Sequence, residues 1–363
     1  MDKSVISTAQ FQLLVILFTI GTTILITPAG LAAEAHQDAW IAAVIGVVMG
    51  MPAVWFVGFF GRRLGQKSFV EYCREVLGTW IGTAVCLFYI FFFFVSAASL
   101  ISYVSNFLTT QILVETPVQF IHLLFAIIVV MALRLGLETI ARTAEIFFPW
   151  FLLLFAGLAL LLLPKIDIEK VQPLFEADLK SLLRSGITLM GISAFPLISF
   201  LMVIPSVKRP QTTGKAIVSA NLTGGFFIIA ISFLSIAVLG ADLTERLMYP
   251  SYALAKKISV GKFIERVEII IAALWFISIF FKLTLYLYAS ALSLSQLVRM
   301  KSYRPLVLPL GMLLVVYGQV VYPNVNYMAE WDKKVWEPLV LVVGLIIPVM
   351  LLAVERIRKA WGQ

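Results

Sequence analysis

Apolar runs long enough to cross a lipid bilayer recur along almost the whole chain, and short segments holding most of its charge separate them. An α-helix rises ~1.5 Å per residue, so ~20 apolar residues span the ~30 Å hydrocarbon layer. On that measure the sequence predicts ten transmembrane helices, near residues 10–33, 39–60, 80–113, 118–137, 139–163, 184–206, 212–240, 267–298, 305–323 and 335–357. Of the 363 residues 61% are hydrophobic and 13% charged, a balance foreign to soluble domains, so an all-α integral membrane protein is expected as one domain, 1–363. The first run is too long for a signal-peptide core and lacks a small-residue cleavage site, which makes it a retained span.

The net charge of +8 lies in the inter-helix loops rather than along one face, which reads as membrane topology and not as a nucleic-acid surface. With the N-terminus inside, 16 of the 28 basic residues but only 6 of the 20 acids fall on the inner side, so both termini are expected in the cytoplasm. The two longer outer loops, 164–181 and 240–268, mix both signs and have room for short interfacial helices.

Ten spans divide into five and five, 10–163 and 184–357, and an odd number per half forces the second half to run upside down. The third span of each half, 80–113 and 267–298, is unusually long, as strong tilt requires. The first span of each half is interrupted, at "GTTILITPAG" (21–30) and at "GISAFPLISF" (191–200). Backbone opened at membrane depth is tolerated where it is buried in protein or lines a polar cavity. Gly21, Thr22 and Thr23 would free amide and carbonyl groups there, and the start of the following half-helix suits a carboxylate. In the second break Gly191, Ser193 and Ala194 are small, and Pro196 removes a donor. Such residues also occur in membrane helices for close packing alone, but paired breaks at equivalent positions favour one small ligand site.

The residues then point to a family. "IGTTILITP" (20–28) resembles the first-helix motif of the amino acid–polyamine–organocation superfamily. "QDAWIAAVIG" (37–46), "ETIARTAEIFFPW" (138–150), "VLGADLTERLMYPSYAL" (238–254), "GKFIERVEIIIAALWFISIFFKLTLYLYAS" (261–290) and "YRPLVLPLGMLL" (303–314) resemble the B subunit of the nutrient germinant receptors of endospore-forming bacteria. The resemblance implies a germinant-sensing, amino acid transporter-like subunit in the spore inner membrane, beside an A subunit and a lipoprotein C subunit. It also implies a small nutrient ligand: an amino acid, or a sugar or nucleoside. Many relatives carry an acid after the glycine of the sixth-helix break, where this chain offers Pro196 and Ser199, so a cationic or proton-coupled contact does not carry over.

Lys282 lies halfway along the eighth span, where a cation costs ~2.5–3.5 kcal/mol on insertion scales, so it faces the bundle interior or water. Two readings stand for it: an ammonium where related transporters keep a sodium ion, or a structural role as a salt bridge or a snorkelling side chain. Glu145 is its candidate partner, although "ARTAE" sets that acid nearer the cytoplasmic side. Ser99, Ser102 and Asn106 recur at helical spacing as a polar stripe, or bond their own helix. Trp275 and Ser278, two turns and one turn before Lys282, form either a pocket wall or core packing. Glu34, His36 and Asp38 alternate as in a solvated loop, and His122 stands alone as a helix-packing residue. Cys73 and Cys86 match neither a disulfide framework nor a metal spacing. Without a nucleophile–histidine–acid set, a phosphate loop or a metal cluster, no enzyme, metal or cofactor is expected. Three functions are left: a nutrient receptor, a secondary amino acid permease, and a structural membrane subunit or channel-forming partner.

Overall fold

The computed structural model describes residues 5–65, 67–258 and 267–361, and its regular structure is helical. The first predicted span is two helices, α1 (Thr8–Ile20) and α2 (Thr23–Ala35), with Gly21 and Thr22 between them. Ser7 opens α1 through a capping box with Gln10, one bond each way at 3.1 and 2.8 Å. The chain continues through α3 (Ala39–Leu64), α4 (Phe69–Leu77), α5 (Thr79–Gln111), α6 (Val118–Leu135) and α7 (Leu137–Leu162). The sixth span is α8 (Leu179–Ser193) followed by 3-10 turns, Phe195–Met202 and Ile204–Ser206. Then come α9 (Thr213–Leu239), the short α10 (Ala241–Arg246) and α11 (Pro250–Lys256), α12 (Glu268–Leu297) and α13 (Arg304–Val320). The last stretch is α14 (Val325–Trp331), α15 (Glu337–Leu341) and α16 (Ile347–Ala360), joined by π turns at Asp332–Trp336 and Val342–Ile346.

Eight helical stretches are long and apolar enough to cross a membrane, which makes this a multi-pass membrane protein; one of the eight runs from Thr23 to Leu64, and α1 and α13 are apolar but shorter. The last stretch starts ten residues before the expected 335, because Asn324 caps the Tyr327 amide at 2.8 Å and fixes the helix start there. α10 and α11 fill the outer loop expected to hold short helices, whose part at 259–266 lies outside the described residues; the 164–181 loop holds 3-10 turns instead.

α3 lies against α8 and α9, α5 against α12, and α1 against α9 and α12, so the two broken spans sit inside the bundle. Close approach there needs small residues. A Cβ on Gly58 would fall 2.7 Å from the Gly214 Cα, which lets α3 and α9 meet backbone to backbone. The same end of both broken spans is tied by a one-residue parallel bridge: Ile6 donates to Ser206 O at 2.9 Å and Lys208 donates to Ile6 O at 2.9 Å.

Two regions differ from expectation. Asp38 is not in a solvated loop: it is fully buried, and its carboxylate accepts the amides of Phe175 and Ala177, both at 2.9 Å, clamping the connection before α8 onto the end of α2. Its neighbours Glu34 and His36 stay near the surface, facing Arg184 at 3.6 Å and Glu245 at 4.0 Å. α4 was not expected at all. It buries Phe69, Val70, Tyr72, Cys73 and Val76 on one side and opens with a Ser68–Glu71 capping box. Cys73 and Cys86 are both buried free thiols.

Candidate functional site

Each break leaves carbonyls without their helical donors, and side chains from other spans take them over. In α8 the donor due to Ile192 O is the amide of residue 196, which proline lacks. Lys282 Nζ donates to that carbonyl at 3.0 Å. One residue earlier, Gly191 O accepts the Trp336 indole N–H at 3.0 Å. Ser193 bonds back to Leu189 O at 2.8 Å, and Ala194 closes the last α turn by donating to Met190 O at 3.0 Å. Beyond Ala194 the chain tightens into 3-10 turns, with Ser199 donating to Pro196 O at 2.9 Å.

The first break is held from the same side. Lys282 Nζ also donates to Thr22 Oγ1 at 3.2 Å and lies 5.3 Å from the Phe18 ring centroid, a cation–π distance. Gly21 is required here, since a Cβ would stand 2.3 Å from Lys282 Cδ and 2.9 Å from Phe18 O. Ser278 Oγ is 3.3 Å from Gly21 O, and it shares its single proton with Trp275 O at 3.0 Å and Leu274 O at 3.1 Å. Thr23 turns its hydroxyl back to Thr19 O at 3.0 Å, so it fastens α1 to α2. The first turn of α2 offers the amides that a helix start leaves without intrahelical acceptors. Buried Lys282 is therefore one side-chain amine bridging both breaks.

Glu145 does not join it. That carboxylate is on an exposed position of α7 and accepts from Gln10 Nε2 at 3.0 Å, near the start of α1. Its nearness to the "ARTAE" end is the physical reason: Gln10 lies three turns of helix before the break at Gly21, too far along the axis for contact.

α5 and α12 supply polar atoms with no assigned partner. Ser99 Oγ and Trp275 Nε1 are buried without a hydrogen bond among the described residues. The Trp275 ring packs edge-on against Phe107, centroids 4.9 Å apart, so it is both wall and core. Along α5, Asn106 Oδ1 accepts from the Tyr249 hydroxyl at 2.7 Å, and burial pushes that phenol up, so it stays a donor. Tyr103, which sequence reading left without a role, donates to Asp332 in the first π turn of the last stretch. Ser102 contributes only its carbonyl, to Ser105. His122 is satisfied on one side, with Nε2 2.8 Å from Ser105 Oγ. Among the described residues no group of three His, Cys, Asp or Glu side chains forms a metal cluster.

Asp332 was missed because the predicted last span began at 335, and Trp336 because it stood at that span's edge. The signal was "NYMAEWDKKVW", two tryptophans around an acid, which reads as an interfacial belt rather than as part of a site.

A family profile described as "Spore germination protein" matches residues 5–326. Spore germination protein KB of Bacillus subtilis is 28% identical over 327 residues, covering 89% of this chain and 87% of that protein. Spore germination protein YndE of the same organism is 25% identical over 363 residues, 98% of each. Among solved structures, MhsT in complex with L-phenylalanine superposes with a TM-score of 0.64 at 17% identity, over 97% of this chain and 98% of that one. A Na+-coupled sialic acid symporter gives 0.65 at 11% identity, over 94% and 80%. At such identities the likeness is one of fold.

Proposed function

The chain belongs to the spore germination protein family, and from that premise we propose that it is the membrane subunit of a nutrient receptor: a small nutrient, most simply an amino acid, binds where the two helix breaks meet, and the shift it causes triggers germination. The observation that carries this reading is Lys282, whose Nζ is bonded at once to Thr22 in one break and Ile192 in the other. A ligand entering there changes contacts to both broken spans together, and a ligand shifts a conformational equilibrium by its difference in affinity for the two states. Residues Gly21, Thr22, Thr23, Gly191, Ser193 and Ala194 form the floor of the proposed site, with Ser99, Trp275 and Ser278 as its walls.

The proposal includes ten crossings arranged as inverted halves, 10–163 and 184–357, with both termini in the cytoplasm and the chain in the spore inner membrane beside an A subunit and a lipoprotein C subunit. Both short helices, α1 and α13, then count as crossings, α1 together with α2. The alternative is a secondary permease, which the fold shared with a protein solved with L-phenylalanine favours. Against ion-driven transport stands the ammonium already seated between the breaks. Purified protein in proteoliposomes distinguishes the two: saturable binding without accumulation supports the receptor, and accumulation driven by a sodium or proton gradient overturns it.

A further inference from the structure

The first π turn of the last stretch, Asp332–Trp336, carries an acid of a kind that neither broken span supplies at its break. Asp332 lies four positions before Trp336, whose indole holds Gly191 O of the second break. Tyr103 of α5 donates to one carboxylate oxygen. The Tyr322 ring lies beside Tyr103, centroids 6.0 Å apart, and Ser99, one turn before Tyr103, buries a hydroxyl with no hydrogen bond among the described residues. Among those residues no Lys, Arg or His nitrogen forms an ion pair with Asp332; Lys334 on the same turn pairs with Glu330 at 3.4 Å, and Lys282 is committed to Thr22 and Ile192. Glu337, the nearest other acid, is taken by the Thr188 hydroxyl at 2.6 Å. A carboxylate drawn into a membrane bundle calls for a cation or a donor set, and the protein side offers a single phenol.

We propose that Asp332, positioned by Tyr103, is the acceptor for a primary ammonium group of the bound nutrient, which makes the ligand class cationic at one end. It rests on the site between the breaks described above. The ligand's carboxylate faces the α2 amides and its ammonium faces Asp332, with Ser99 as a second acceptor.

The test is thermal stabilisation of the full chain by the proteinogenic amino acids, by inosine and by glucose, each amino acid that acts being compared with its des-amino acid. The expected result is a shift from one or more amino acids, none from the des-amino counterpart, at least a tenfold weakening in Asp332→Asn and a smaller one in Tyr103→Phe, each read against that variant's own unliganded melting. The des-amino comparison needs no variant, so it holds even if Asp332→Asn folds poorly. Equal binding of the des-amino acid, or undiminished amino acid binding by Asp332→Asn, overturns the assignment. Gly21→Ala separates the two claims. Loss in Gly21→Ala with retention in Asp332→Asn refutes only the role of Asp332, whereas retention in both, or no shift from any probe, refutes the site as well.

Discussion

Gly21→Ala should act through Lys282, and the size of that coupling follows from the geometry. The added Cβ lands 2.3 Å from Lys282 Cδ, over an ångström inside the ~3.5–4.0 Å at which carbons pack. The lysine stem must retreat by about that distance, which takes Nζ from 3.0 and 3.2 Å out of hydrogen-bond range of Ile192 O and Thr22 Oγ1. A bond to a charged group contributes ~1.5–3 kcal/mol, and Ile192 O has no helical donor to fall back on because residue 196 is proline. One such bond lost with modest overpacking gives a cost of ~3 kcal/mol for Gly21→Ala alone. With Lys282→Ala already in place the stem beyond Cβ is gone and only the approaches to Phe18 O at 2.9 Å and to the Cβ of residue 282 at 3.2 Å remain, so the same change should cost about 2 kcal/mol less. A double-mutant cycle by reversible unfolding in mixed micelles is therefore expected to return a coupling of about 2 kcal/mol. Costs that add within ~0.5 kcal/mol would refute the bridging role of Lys282.

Replacing sodium chloride with potassium or choline chloride should leave nutrient binding by the wild-type chain unchanged within twofold, measured by thermal shift, since the ammonium fills the position between the breaks. Asp38→Ala strips two half-buried amides of their acceptor and should lower stability by ~1–3 kcal/mol, with limited proteolysis then cutting within 172–178. Glu355 accepts from Arg63 at 2.9 Å, Lys359 at 2.7 Å and the Tyr72 hydroxyl at 2.7 Å at the far end of the last stretch. Because the side chains of Arg63 and Lys359 are 30% and 66% exposed, Glu355→Gln should cost only ~1 kcal/mol in the same unfolding assay.

The breaks were legible because glycine and proline act locally: Pro196 withholds a donor whatever surrounds it, and Gly21 marks a place where another chain comes close. Helix ends came within a few residues where the sequence changed sharply, as at Arg62–Arg63 in the last turn of α3 and at Gly136 between α6 and α7. What the breaks meet was not legible. Lys282 could be set at mid-span from its position, but its acceptors lie 260 and 90 residues away in sequence, and no periodicity encodes such pairs. Asp38 read as a loop acid because its partners are backbone amides of Phe175 and Ala177, which carry no side-chain signature. α4 had a local signal, the Ser68–Glu71 box with apolar residues on one face, but nine residues fall below any bilayer-length criterion.

Amide hydrogen exchange of the purified chain, with and without a saturating nutrient that stabilises it, tests most directly whether one ligand engages both breaks. Exchange at 21–25 and at 191–195 should slow together, and both effects should vanish in Gly21→Ala. Protection confined to one break, or to residues outside both, would contradict a ligand site built where they meet.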